Sequence, residues 1–205
     1  MLKALTPPRR KKKIRVGPAD DGRAMSLDDF DKAEGQEGYL YELSRGIIQV
    51  TNIPHPLHFV QMSSIRDPLI GYKLSHPGII QAIGGSFDTK VLIEEEQSER
   101  HPDISVYLSP MPAAKDIWSV WIPTIAFEIV SLSSVKRDYE EKSEEYLSFG
   151  IQEYCIVDGF KKQMLIKSRF RGVWQEKILK PSQSYTTPHL PGFKLPLKSI
   201  LTRAE

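Results

Sequence analysis

The chain has 205 residues, 40 % of them apolar and 26 % charged, with a net charge of +2. That is ordinary globular composition, which excludes a collagen-like, mucin-like or wholly disordered chain and leaves enough apolar mass for a core. Apolar stretches run only a few residues, far short of the ~20 that a membrane span needs, and no apolar segment of a secretory signal follows the basic N-terminus.

The net charge hides an asymmetry. Residues 1–15 hold seven cations (Lys3, Arg9, Arg10, Lys11, Lys12, Lys13 and Arg15) and no acid, while the rest of the chain carries 21 cations against 26 acids. Such a block of like charge repels itself and does not pack. Residues 1–24 are therefore expected to form a disordered basic arm, and residues 25–205 the folded domain. The arm reads either as a phosphate-binding element or as a solubilising tail or a start upstream of the true one. The single cysteine, Cys155, cannot close an intrachain disulfide, which fits a reducing, cytoplasmic setting.

The domain opens near Ser26, an N-cap followed by Asp28 and Asp29 in a first helical turn. Tyr39–Ser44 and Ile47–Thr51 read as a hairpin turning at Arg45-Gly46. Over Leu57–Leu74 the spacing of Phe59, Met62, Ile65, Leu69 and Tyr72 predicts a helix, which Pro68 should kink or split. Short strands follow at Ile79–Ile83, Lys90–Ile93 and Ile104–Leu108. Residues 109–123, with three prolines and two tryptophans, read as an irregular loop. Ile125–Val130 is a near-continuous apolar strand of the kind covered on both faces. A helix over Val135–Phe149 ends at Gly150, and Glu153–Val157 returns as a strand, completing a crossover unit. Gln163–Ser168 and Val173–Leu179 pair antiparallel around Arg171-Gly172. The order implies an α/β domain: a mixed central β-sheet flanked by helices.

The informative residues are ionisable groups inside apolar patterns. Glu128 lies in the doubly covered strand, where an unpaired carboxylate costs several kcal/mol, so it needs a cation, a metal or a solvent-filled cleft. At helical spacing Lys142 shares a stripe with Val135, Tyr139, Tyr146 and Phe149, while Glu140, Glu141, Glu144 and Glu145 point elsewhere. That lysine either snorkels along the apolar surface or aims at Glu128. Asp103 stands at the mouth of a strand just after Pro102, where a plain turn aspartate is common. Glu42 lies in an alternating strand, where a solvent-facing position is the simpler account. Together, two carboxylates and a lysine from adjacent strands and the following helix suit divalent-metal and phosphate chemistry. Carboxylates give Mg²⁺ hard oxygen ligands, the ion activates water, and the lysine balances developing charge.

Other residues carry less. Cys155 reads as a buried structural thiol. His55 and His58 lack a third ligand for zinc. Gly84-Gly85 has no phosphate-loop sequel. Trp118 and Trp121 read either as stacking faces for bases or a partner subunit or, the more common use, as partly buried loop anchors.

Tyr41-Glu42-Leu43 with Gly46, Pro102-Asp103, Glu128-Ile129-Val130-Ser131, Asp138 through Lys142 to Tyr146, Gly150 to Tyr154 and Val157-Asp158 occur in this order. This series, with the late Pro191-Gly192-Phe193, resembles the Uma2 family (DUF820) of restriction-endonuclease-like proteins over residues 25–201. The resemblance implies the PD-(D/E)XK nuclease fold, with Asp103 and Glu128 binding Mg²⁺, for which Mn²⁺ substitutes. The motif's lysine two residues after the glutamate is Val130 here, and Lys142 matches a lysine that has migrated to the helix. Glu42 matches an early acid that helps hold the metal or its waters, and His58 a histidine of no assigned role. The implied activity is Mg²⁺-dependent endonucleolytic hydrolysis of DNA, with duplex DNA as partner and a homodimer as an assembly suited to cutting both strands. The alternative is a catalytically silent nuclease-fold module that binds nucleic acid or protein.

Overall fold

The computed structural model describes residues 13–53 and 55–201. Two two-residue strands, β1 (Arg15–Val16) and β2 (Glu34–Gly35), pair in parallel around helix α1 (Leu27–Asp31). The hairpin β3 (Tyr39–Ser44) and β4 (Ile47–Asn52) precedes the long helix α2 (Pro56–Ser75). Strands β5 (Ala82–Gly84), β6 (Val91–Ile93), β7 (Ser98–Arg100), β8 (Ile104–Tyr107) and β9 (Ile125–Ile129) follow. A π-helical turn over Arg137–Glu141 leads into α3 (Lys142–Phe149). Strands β10 (Glu153–Asp158), β11 (Gln163–Phe170) and β12 (Val173–Leu179), the short pair β13 (Ser184–Tyr185) and β14 (Leu195–Pro196), and α4 (Lys198–Leu201) are the last elements among the described residues. Among the described residues no helix is long and apolar enough to cross a membrane.

The central sheet has the order β12-β11-β10-β9-β8-β5, and β4-β3-β7-β6 form a second, four-stranded sheet. Only β9 and β10 run parallel in the central sheet; β8 is antiparallel to β9, and β5 to β8. This is the expected α/β architecture, and the β9-α3-β10 passage is the expected crossover.

Side chains alternate across a strand, and the cores follow that rule. Ile125, Phe127 and Ile129 of β9 pack with Ile65 and Leu69 of α2 and with Leu197 and Leu201 near the C-terminus. Ala126 joins Ile156 of β10 and Tyr146 of α3 on the other face. A third cluster joins α1 to the second sheet through Leu27, Phe30, Leu43 and Ile48. At Arg45-Gly46 both residues have positive φ (49° and 77°), the conformation that matches hairpin twist. Gly150, at φ 105°, ends α3.

Several expectations change. Ser26 caps α1 through its side chain, which accepts from the Asp29 N–H, but residues 13–24 belong to the fold rather than to an arm. Val16 is buried, and Ala24 bridges to Ile47. One apolar residue in the right register outweighs local like charge, and Lys13, from the charged run, finds a carboxylate partner in Glu34. Residues 1–12 of the expected arm lie outside the described residues. Pro68 does not split α2, which runs through it with Ile65, Leu69 and Tyr72 buried, whereas Phe59 is exposed. Strand β7 has no apolar alternation and adds to the expected strands. Val135 is exposed, and Glu145 is buried rather than on the solvent side. Helix α3 touches both sheets, so a wider arc of it is covered than a single stripe.

Candidate active site

Register places the carboxylates. The antiparallel pairing of Ile104 with Phe127 continues one step to set Asp103 beside Glu128. Alternation sends Ile104 and Phe127 to the α2 face, so Glu128 points the other way, toward α3. There the Lys142 ammonium donates to Glu128 Oε1 at 2.9 Å, and the Tyr146 hydroxyl donates to the same oxygen at 2.8 Å. The lysine of the helical stripe thus aims at Glu128.

Glu42 reaches the same lysine from the second sheet. Its Oε1 lies 3.1 Å from Lys142 Nζ and accepts the His101 N–H at 2.9 Å. Its Oε2 accepts from Arg100 Nη1 at 3.3 Å, with Arg137 Nε 4.0 Å away. The simpler account of Glu42 as a solvent-facing strand residue is therefore wrong: it is buried and surrounded by donors. Asp103 Oδ2 accepts the Ile129 N–H at 2.7 Å and sits 3.0 Å from His58 Nε2. Its Oδ1 receives one long contact, from the Ser86 hydroxyl at 3.4 Å. Asp103, Glu128, Lys142, Glu42 and His58 all line one cleft of about 910 Å³.

Charge is unevenly shared there. Burial opposes ionisation of Glu42, but Lys142, Arg100 and Arg137 outweigh it and hold the carboxyl well below the usual range. Burial also opposes the charge on Lys142, yet Glu128, Glu42 and Asp138 keep its ammonium well above the usual lysine value. Glu128 is pushed up, first by burial and then by Asp103, Asp138 and Glu42, against the pull of Lys142. Burial likewise raises Asp138 to about 6, against Lys142, Ser134 and Arg137. The lysine and Glu42 form the settled ion pair, and the Asp103 side of the cleft is short of positive charge.

A divalent ion fits that deficit. The hydrogen bonds to Glu128 fall on Oε1, and Asp103 Oδ1 is nearly uncommitted, so one hard oxygen on each carboxylate is left toward the cleft. Among the described residues no group of three or more His, Cys, Asp or Glu side chains is disposed to share an ion. The ion would rest on two carboxylates and complete its shell with water, as Mg²⁺ commonly does. Glu42 is poorly suited to join it, since donors already occupy both its oxygens.

The structure also assembles further polar groups around the site, of which Arg100 is the one that the sequence does not single out. Arg100, fully buried, donates to Glu145, Glu42, Gln49 and the Ser44 hydroxyl. His101 bonds Glu99 and the Ser86 carbonyl. Asp138 accepts from Ser134, which closes the turn entering the π-helix. From Ser98 to His101 the chain is polar without a break, and such a run offers no pattern by which to find Arg100. Elsewhere, Cys155 is a buried free thiol, His55 caps α2, and Trp121 packs on Tyr107 with ring centroids 4.1 Å apart.

No curated protein matches the chain. In fold it is similar to the crystal structure of "a putative nuclease belonging to DUF820 from Anabaena variabilis ATCC 29413". The TM-score is 0.71 at 17 % identity, over 87 % of this chain and 98 % of that one. Residues 27–198 match the model of the Uma2 family, described as "Putative restriction endonuclease". A match over that much of the sequence makes the chain a member of the Uma2 family.

Proposed function

We propose that this protein is a Mg²⁺-dependent endonuclease that hydrolyses phosphodiester bonds in DNA. The observation that carries the reading is the meeting of Asp103, Glu128 and Lys142 in one cleft, two carboxylates with one weakly committed oxygen each and a buried ammonium beside them. Asp103 and Glu128 hold the ion, and Mn²⁺ substitutes for Mg²⁺. The bound ion supplies Lewis-acid polarisation of the phosphate and a more acidic water. His58 and the Ile129 N–H fix Asp103 by its Oδ2. Lys142 donates to Glu128 and is ion-paired with Glu42 at 3.1 Å, and the rest of its three N–H donors are available to orient the attacking water or to meet charge developing on the phosphate. Glu42 is a positioning residue: it holds Lys142 in register with Glu128.

The test is a pair of measurements on the whole chain. Mn²⁺ titration calorimetry should give binding that Asp103→Asn and Glu128→Gln each abolish, and plasmid nicking in Mg²⁺ should disappear in the same variants. Equal Mn²⁺ affinity in wild type and both variants would reject the metal assignment. Metal binding without any nicking would instead favour a nuclease fold that binds its partner and does not turn over. Gel filtration of the same samples, with and without DNA, tests the homodimer.

A further inference from the structure

We infer that the strand cut by this site is unpaired at the cleft, and that exposed side chains on the cleft rim take its unstacked bases. The inference rests on the nuclease reading and names its substrate form. It starts from topology. In the central sheet β5, β9 and β10 point the same way, because β8 is antiparallel to both β5 and β9 and β10 is parallel to β9. Their carboxyl-terminal loops therefore leave at one edge, where Asp103 enters β8. Each loop carries a large apolar residue into solvent: Phe87 after β5, Leu132 after β9 and Phe160 after β10, with exposures of 80 %, 80 % and 47 %. All three line the same cleft as the carboxylates. Single exposed apolar residues mean little, but three on one edge around one charged cleft make a set.

What occupies them follows from the chemistry on either side. The same loops carry exposed cations, Lys136 four residues after Leu132 and Lys161 and Lys162 directly after Phe160, with Lys136 and Lys161 only loosely paired, to Glu141 at 3.8 Å and Asp158 at 3.9 Å. Stacking faces interleaved with cations are what a single nucleic-acid strand uses, bases on the rings and phosphates on the ammonium groups. An intact duplex fits poorly. Asp103, Glu128 and Lys142 are each buried, so the reacting point lies below the rim. A duplex holds its phosphates on a convex surface, and its bases cannot reach Phe87 or Phe160 without leaving the stack. The cleft volume is of the size that takes a small organic group, as one nucleotide is.

The test uses the full chain in Ca²⁺, so that binding is read without cleavage. Fluorescence anisotropy compares one labelled oligonucleotide as a single strand, in a perfect duplex, and in a duplex gapped opposite the label, with 2-aminopurine reporting unstacking. We expect the single strand and the gapped duplex to bind at least about tenfold tighter than the perfect duplex. Phe87→Ser and Phe160→Ser should each cost about tenfold on the unpaired forms, the size of one lost base–aromatic stack. They should leave duplex affinity unchanged and quench the 2-aminopurine signal. Phe87 is so exposed that its substitution should leave the melting temperature unchanged, and circular dichroism checks both variants. Equal binding of paired and unpaired DNA with both variants silent would overturn the inference. In that outcome the nuclease reading survives if Glu128→Gln still abolishes duplex nicking. Binding of no DNA form at all would overturn both.

Discussion

Two buried cations flank Glu42, and they live differently. Arg100 is wholly enclosed, and its guanidinium fork is satisfied by Glu145, Glu42, Gln49 and Ser44. Lys142 is also buried, yet it faces a cleft that holds more carboxylates than it can neutralise. The first cluster is closed: each charge is met inside the protein, and its work is to join α3 to the second sheet. The second is open: Glu128 and Asp103 each keep an oxygen that nothing in the chain satisfies well. Burial of charge is common to both, so burial alone does not mark a site. An unmet remainder of charge facing a cleft does.

The largest expected effect comes from breaking the closed cluster. Arg100→Met leaves Glu145 buried without its cation and Glu42 with Lys142 as its remaining close one, and uncompensated buried charge costs about 3–5 kcal/mol. Urea unfolding should show that loss, with nicking falling as well because Glu42 loses the donor that fixes its Oε2 and so orients its Oε1 toward Lys142. A variant that unfolds at the wild-type midpoint would mean the cluster is not the clamp between α3 and the second sheet.

The open cluster should respond with the opposite sign. Asp138 sits at about 6 in the folded protein because burial outweighs its donors, against about 3.9 in an unfolded chain. Between those values the folded state binds the extra proton, so this group's contribution to stability falls as pH rises through the window and stays unfavourable above it. Asp138→Asn should therefore stabilise the metal-free protein at pH 7 by up to roughly 3 kcal/mol and remove that part of the slope between about pH 4 and pH 6. Thermal melts in EDTA across that range measure both. A destabilised Asn variant at pH 7 would show that the charged form is the favoured one.

Glu128→Gln should be smaller still in stability, within about 1 kcal/mol of wild type in EDTA. It removes one member of a repelling set, while Lys142 keeps Glu42 and the introduced amide oxygen still accepts from Tyr146. The same substitution should abolish Mn²⁺ binding at the proposed site, so function and stability should separate here, whereas at Arg100 they should fall together.

That contrast also explains what can be read from the residues alone. Glu128 and Lys142 stand out because each interrupts an apolar pattern, and a charge in an apolar run has to be met by something. Asp103 is reachable because Pro102 fixes a strand entry. Arg100 is invisible: β7 is short and wholly polar, so nothing local says that it is buried. Glu145 looks like one more acid on a solvent face, since a single helical stripe cannot reveal that α3 is covered by two sheets. His58 has no pattern of its own at the start of α2; only the fold brings it to Asp103. Residues 13–24 are hidden under the charge of the run before them, although Val16 is what anchors them. Charges that violate a pattern are legible, and charges that fit none become visible only when the strands are paired.

The smallest effect is the control for all of these. Arg45, at the hairpin turn, repeats at the surface the pairing that Arg100 makes inside. Its guanidinium meets Glu144 at 2.9 Å and Glu96 at 3.4 Å with half of the side chain exposed. Exposed pairs of this kind are screened and give about 0.2–1 kcal/mol. A double-mutant cycle of Arg45→Ala with Glu144→Gln should return a coupling in that range, which shrinks further in concentrated salt. The same cycle on Arg100 and Glu145 should return several times more and be insensitive to salt, because water and ions do not reach it. Arg45→Ala alone also keeps a non-glycine residue at positive φ, so its cost in the single mutant carries no relief of backbone strain. Equal couplings in the two cycles would mean that enclosure adds nothing to the Arg100 cluster, and the distinction between the closed cluster and the open one would then lose its energetic basis.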